Sequence, residues 1–144
     1  MRSNADRIKH ISLIEELVDL FLEQGFKING ADGVEGYFPP IELHNDGYGD
    51  QEDKMPDIYA YDSHSRRYII GEAKTGQKDF ESEHSLTQYS VYCDQINPIT
   101  GTQAVIYFIV PANRVTEFTS ILTRYLHPEL IGNIVVVQSQ RWTD

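Results

Sequence analysis

The stretch MPDIYAYDSHSRRYIIGEAK, Met55 to Lys74, decides how the chain folds. Two segments rich in isoleucine and tyrosine flank the polar tetrapeptide Ser63–Arg66, which is the pattern of two β-strands joined by a short turn. We therefore predict a hairpin with strands over residues 57–62 and 67–74. Both strands carry charged residues at the end away from the turn, which is unusual because strands are depleted in Asp, Glu and Lys.

The register of this hairpin follows from its turn. Counting outward pairs Asp62 with Arg67 and places Asp57 opposite Glu72. Paired residues share one face of a sheet with Cβ atoms about 5 Å apart, and Lys74, further along the same strand, points the same way. We expect two carboxylates and one ammonium to converge there. A slip of one residue would send Asp57 and Glu72 to opposite faces.

Three charged groups on one face favour a metal site. Two neighbouring carboxylates repel each other, so one of their pKa values rises unless a cation lies between them. Mg²⁺ and Mn²⁺ prefer oxygen ligands, and a lysine beside the metal can orient a water or stabilise negative charge. The pattern predicts metal-assisted hydrolysis of a phosphodiester. The alternative is an ordinary hairpin with a cross-strand Glu–Lys ion pair worth about 0–1 kcal/mol.

Helical and strand patterns alternate along the rest of the chain. A helix between two strands favours a mixed sheet with helices on its faces. The Gly- and Asp-rich segment 44–54 is interpreted as a long loop, either functional or disordered. The other predicted elements are a helix over 5–24, an edge strand over 36–43, a helix over 80–96, a strand over 102–110, a helix over 113–126 and a strand over 133–140.

Composition limits the classes of function. The 144 residues suffice for one domain, and we take 1–144 as a single unit. No apolar run approaches the roughly 18–20 residues of a membrane span, so we expect no membrane partner. The single cysteine excludes an internal disulfide and fits the reducing cytoplasm, where we expect the protein. The five histidines lack metal-ligand spacing and are interpreted as surface residues, which argues against a structural zinc site.

Pro56-Asp57 and the later Glu72-Ala73-Lys74 form a PD…EAK pattern. In this motif and in its element order the chain resembles the PD-(D/E)xK nuclease superfamily, which includes type II restriction endonucleases, archaeal Holliday-junction resolvases and RecB-type nuclease domains. The resemblance covers nearly the whole chain by element order, and only the motif by residue identity. It implies a restriction-endonuclease-like α/β fold: an αβββαβ core with a mixed central sheet flanked by helices, here with an extra C-terminal helix and strand.

The resemblance also implies roles for individual residues. Asp57 and Glu72 would bind Mg²⁺ or Mn²⁺, and the main-chain carbonyl of Ala73 would be a further metal ligand. Lys74 would be the catalytic lysine. Many members of the superfamily add an acidic residue from the first helix.

Two glutamates of the first predicted helix could supply that acid. Glu15 borders the apolar stripe of the helix, whereas Glu16 falls on its polar side. Because a ligand must reach a site on the sheet, we expect Glu15 to join the catalytic and metal-binding set. The alternative for Glu15 is a solvated glutamate at the edge of the stripe.

Polar residues after the hairpin extend the resemblance. Gln88 and Tyr92 share one face of a predicted helix and match the Q-x-x-x-Y pattern of RecB-like members. The resemblance implies that they shape the active site or contact nucleic acid; the alternative is a polar pair on an amphipathic helix. Lys78 belongs to a small group of basic residues near the hairpin that can contact phosphate. We expect these three residues to bind substrate.

The leading hypothesis is therefore a Mg²⁺-dependent endonuclease, with DNA rather than RNA as substrate. The net charge of −10 is unusual for a nucleic-acid binder. It favours the alternative, a catalytically inactive nuclease-fold module that acts through a protein or nucleic-acid-processing partner. An active enzyme with so little positive charge would act as a homodimer, within a larger complex, or weakly. A third alternative is an unrelated domain in which the motif is accidental.

Overall fold

The structure, a computed structural model, describes residues 2–144 and contains four α-helices, one short 3-10 helix and five strands. In chain order these are α1 (Asn4–Glu23), β1 (Lys27–Ala31), β2 (Ile58–Asp62), β3 (Arg67–Ala73), α2 (Glu83–Cys93), β4 (Val105–Val110), the 3-10 helix (Ala112–Arg114), α3 (Val115–Tyr125), α4 (Pro128–Ile131) and β5 (Ile134–Gln138). The strands form one sheet in the order β1-β2-β3-β4-β5. The first three strands are antiparallel and the last three parallel, so the mixed α/β sheet predicted from the sequence is confirmed.

The hairpin of β2 and β3 has the predicted register. Asp62 pairs with Arg67, and the ladder continues without a slip to the far end of the hairpin. Asp57, the residue before β2, therefore lies opposite Glu72 of β3. The Asp62 carboxylate closes the turn by accepting the backbone N–H of Ser65.

The edge strand beside this hairpin is not where the sequence placed it. The prediction of a strand over 36–43 is wrong: that segment forms only a single bridge, between Leu43 and Lys54. The edge is β1, whose sequence KINGA lacks a strand pattern and whose pairing with β2 is irregular at Gly30. A Cβ on Gly30 would lie 2.8 Å from the Cα of Pro40, so only glycine permits this close approach. The proline segment packs over β1 instead of forming a strand.

Helices cover both faces of the sheet. On one face, α1 buries Leu13, Leu17 and Phe21. On the other face, α2 and α3 bring Tyr89 and Phe118 against the sheet. Full burial of a large apolar side chain contributes about 1.5–3 kcal/mol, so these contacts hold the helices in place. None of the described helices is long and apolar enough to cross a membrane.

The direction of α1 places its first turns at the charged end of the hairpin. Ser3 caps the helix by accepting the backbone N–H of Asp6. Leu17 packs against Gly71 in the middle of the sheet, whereas His10, two helical turns earlier, contacts Asp57. Residues near the start of α1, not those in its middle, therefore face the end of the hairpin.

Candidate active site

A cleft of about 650 Å³ opens at the charged end of the hairpin, between the first turns of α1 and α2. α2 begins later than predicted, because Ser82 caps it by accepting the backbone N–H of Ser85. The cleft is lined by Asp57, Glu72 and Lys74 of the hairpin, by Asp6 and His10 of α1, and by Ser85 and Gln88 of α2. The structure thus brings together most of the residues predicted for a catalytic site.

The two carboxylates of the hairpin are joined by backbone hydrogen bonds. Asp57 Oδ2 accepts the Ala73 N–H at 2.8 Å, and Glu72 Oε1 accepts the Asp57 N–H at 3.3 Å. Both side chains are buried, with 7% of Asp57 and 3% of Glu72 exposed. These bonds orient both carboxylates and leave Asp57 Oδ1 without a hydrogen-bond partner among residues 2–144.

Glu72 lies in an environment that disfavours its charge. Burial and the neighbouring charge of Asp57 raise the pKa of Glu72 well above its ordinary value. The Lys74 ammonium, 3.6 Å from Glu72 Oε2, and the Tyr92 hydroxyl offset only part of this shift. Two carboxylates held side by side in this way favour a proton on Glu72.

Lys74 is almost completely buried, with 2% of its surface exposed. Its ammonium donates hydrogen bonds to Ser85 Oγ at 3.2 Å and to Gln88 Oε1. It also lies 5.6 Å from the centroid of the Tyr89 ring. These contacts satisfy a desolvated ammonium and hold it on the wall of the cleft.

Gln88 and Tyr92 contact the charged residues, as the shared helix face predicts. The Tyr92 hydroxyl donates to Glu72 Oε1 at 2.9 Å, and Gln88 Nε2 donates to Glu72 Oε2 at 3.4 Å. Tyr92 is fully buried, which places it behind the site and away from the cleft surface expected of a substrate-binding residue. Gln88 is also buried, although it lines the cleft. Both residues shape the site by positioning Glu72 and Lys74.

His10 was missed by the sequence analysis, which placed all five histidines on the surface. Its Nε2 lies 3.1 Å from Asp57 Oδ2, and its side chain is only 13% exposed. Burial lowers the pKa of His10, but the hydrogen bond to Asp57 and the negative charges of Asp57 and Glu72 together outweigh burial and raise it. No spacing motif could have revealed this contact, because it joins α1 to the hairpin.

Glu15 does not line the cleft, in contrast to the place expected for it in the site. Its side chain is 50% exposed, and the nearest cation is Arg141, 3.9 Å away. The acid that α1 does bring to the cleft is Asp6. Arg2 Nη1 donates to Asp6 Oδ2 at 2.7 Å, whereas the buried Asp6 Oδ1 has no hydrogen-bond partner among the described residues.

The remaining predicted residues occupy two different positions. Lys78 is exposed and lines the cleft, where it can meet an anion. Ala73 is fully buried at the end of β3, with its N–H bonded to Asp57. Ala73 therefore adjoins the carboxylate pair, whereas Lys78 only shares the cleft with it.

Asp50, Glu52 and His84 form another group whose spacing could hold a metal, with ligand atoms within 4.8 Å of one another. It is the only such group of three among the described residues. The buried Lys54 ammonium already lies among these side chains, 2.7 Å from Asp50 Oδ2 and 2.8 Å from His84 Nδ1. This ammonium supplies the positive charge that a metal would bring, so the group is better explained as a structural ion-pair cluster.

Comparison of the chain with protein-family models, with curated proteins and with solved structures finds no match.

Proposed function

We propose that this protein is a Mg²⁺- or Mn²⁺-dependent endonuclease with a restriction-endonuclease-like fold, acting on DNA rather than RNA. The observation that carries the proposal is the placement of Asp57 beside Glu72 at the end of the hairpin, with the Lys74 ammonium 3.6 Å from Glu72. The order α1, β1–β3, α2, β4 also matches the αβββαβ core of that fold.

The donor atoms in the cleft suit a hard divalent cation. Asp57 and Glu72 offer carboxylate oxygens, and the Ala73 carbonyl directly follows Glu72 in the motif. Asp6 adds a buried oxygen without a partner. A bound Mg²⁺ or Mn²⁺ would supply charge for the transition state and acidify a water molecule. We infer that the cation replaces the proton that burial favours on Glu72.

The other residues of the cleft position and stabilise the reacting groups. Lys74, held by Ser85 and Gln88, is suited to orient a water or donate to a phosphate oxygen. His10 contacts Asp57 through Oδ2, which leaves Oδ1 of Asp57 free of this contact. Arg2 and Lys78 add positive charge to the cleft for neighbouring phosphates.

The small number of basic residues bears on the partners of the protein. The chain has 12 Lys and Arg against 22 Asp and Glu, so few phosphates can be neutralised by one copy. We infer that a second copy or a protein partner supplies further contacts to DNA.

The test separates metal binding from catalysis. Calorimetric titration with Mn²⁺ should show binding to the wild-type protein and its loss in D57N, whereas D50N should bind normally. The K74M variant should bind Mn²⁺ but cleave supercoiled plasmid in Mg²⁺ at least about a hundredfold more slowly.

The result that would overturn the proposal is equally specific. Normal cleavage by D57N or K74M would remove the assigned residues from the chemistry. A folded wild-type protein that neither binds Mn²⁺ nor cleaves DNA would favour the inactive interaction module. Loss of Mn²⁺ binding in D50N alone would move the metal to the ion-pair cluster.

A further inference from the structure

A second groove, of about 480 Å³, opens directly beside the cleft. The two share Ser3, Asp6 and Gln77 as wall residues, so a ligand strand that leaves one can enter the other. The far wall of the groove is formed by Ile8 and Trp142. Its volume lies in the range of small-molecule sites.

The walls of this groove combine apolar, aromatic and cationic groups. Ile8 is 66% exposed although it belongs to a helix that packs on the sheet. The Trp142 ring is fixed by its indole N–H, which donates to Ser12 Oγ at 2.9 Å. The Lys9 ammonium lies 5.6 Å from the centroid of that ring. An exposed aliphatic surface, a fixed aromatic ring and a neighbouring ammonium fit a ligand with a planar apolar part and an anionic part.

The N-terminal segment that forms most of the groove wall is locally basic, although the groove's own charged residues are Lys9 and Asp6. Residues 2–10 contain Arg2, Arg7 and Lys9 but only one acid, Asp6, whereas the whole chain has a net charge of −10. Arg7 and Lys9 form no ion pair within residues 2–144, so their charge is available to an anion. This local surplus favours a phosphate next to the groove.

We propose that the groove binds a nucleotide of the substrate strand, with its base against Trp142 and Ile8 and its phosphate at Lys9. This inference rests on the proposed nuclease function, because it takes the cleft to hold the neighbouring phosphodiester. A base within a duplex is stacked and paired, so it cannot enter the groove without being extruded. The substrate class is therefore DNA with unpaired bases beside the cleaved bond, as in single strands, flaps or branches.

The only tryptophan of the chain is a reporter for this site. In EDTA, where no metal-dependent cleavage occurs, titration with an oligonucleotide of about eight deoxythymidines should quench the fluorescence of Trp142. A blunt duplex of the same length should quench it much less. Equal quenching by both DNAs, or none by either at saturating binding, would overturn the proposal.

Two matched pairs of variants locate the contact. K9E should weaken single-strand binding about tenfold in fluorescence anisotropy, whereas K27E, the same charge reversal on the exposed Lys27 of β1, should change it less than about twofold. I8A should also weaken binding, and I99A, at a residue that is 88% exposed, should not. Equal effects within either pair would show that binding is not at the groove.

This design separates failure of the groove from failure of the nuclease proposal. Quenching that depends on Lys9, in a protein that never cleaves DNA, would retain the nucleotide site and remove the catalytic role. Cleavage that requires Asp57 but shows no preference for unpaired DNA and no change in Trp142 fluorescence would retain the nuclease and overturn the groove.

Discussion

Tyr92 donates a hydrogen bond of 2.9 Å to Glu72 Oε1, and both side chains are buried in the protein. The bond favours the ionised form of a carboxylate whose burial favours the neutral form. It therefore favours the charged form of Glu72, which the proposed cation site requires, while burial keeps the Tyr92 side chain out of the cleft. Burial, and next the charge of Glu72, raise the pKa of Tyr92 well above its ordinary value, so the phenol stays protonated and remains a hydrogen-bond donor.

The substitution Y92F removes this hydrogen bond while keeping most of the packing. We expect the pKa of Glu72 to rise further, so protons compete better with the cation and Mn²⁺ affinity near neutral pH falls up to about tenfold. Calorimetric titration measures this change. The control is Y89F, which removes a buried hydroxyl bonded to the Phe80 carbonyl instead. An equal fall of affinity in Y89F would show a general loss of packing.

The raised pKa of Glu72 predicts how stability depends on pH. The unfolded carboxyl titrates near its ordinary value of 4.5, whereas the folded one titrates at higher pH. Above pH 4.5 the unfolded state therefore releases a proton that the folded state retains, and the contribution of Glu72 to wild-type stability falls with rising pH until Glu72 ionises in the folded state. E72Q has no titrating group at this position. Its Tm relative to that of wild type should therefore rise between about pH 5 and about pH 8 in EDTA.

The matched control for this measurement is E15Q, the same change at an exposed glutamate. Its Tm difference from wild type should stay flat over the same range. Added Mn²⁺ should raise the Tm of wild type at the higher pH but leave that of E72Q nearly unchanged. A constant gap between E72Q and wild type would contradict a raised pKa of Glu72.

The register of the hairpin was predictable because two local rules determine it. The polar turn after Asp62 sets the pairing with Arg67, and the two-residue period of a strand then fixes which side chains share a face. The pairing of Asp57 with Glu72 follows without knowledge of the rest of the fold. The clustering of Gln88 and Tyr92 on one helix face was predictable for the same reason.

The contribution of α1 was not predictable from its own pattern. An apolar stripe shows which face of a helix is buried but not which end lies beside a given strand end. Which end of α1 lies there depends on β1, a strand that the Gly-containing sequence did not reveal. β1 runs parallel to β3, and the chain reverses direction between α1 and β1. Glu15 lies nine residues beyond Asp6, roughly 13 Å along the axis at 1.5 Å per residue, and so misses the cleft.

This geometry predicts different outcomes for two acids of one helix. D6N should weaken Mn²⁺ binding or DNA cleavage by about tenfold or more, because Asp6 lines the cleft with a buried oxygen lacking a partner. E15Q should change neither. Calorimetry and plasmid cleavage measure both variants, and circular dichroism confirms that D6N keeps its helices. Loss of activity in E15Q, together with normal activity in D6N, would support the expectation from the apolar stripe that Glu15 is the acid of the site.

The ion-pair cluster around Lys54 gives a prediction about stability and metal selectivity. K54M removes a buried ammonium from between Asp50 and His84, so repulsion and unsatisfied polar groups should lower the Tm by several degrees in EDTA. The variant also frees three ligand atoms within 4.8 Å of one another, so Zn²⁺ should raise its Tm by more than it raises that of wild type, in which only the cleft is open to a metal. The double variant D50N/K54M should lose this Zn²⁺ response. An undiminished response there, or a wild-type Tm that rises equally with Zn²⁺, would contradict the view that Lys54 takes the place of a metal.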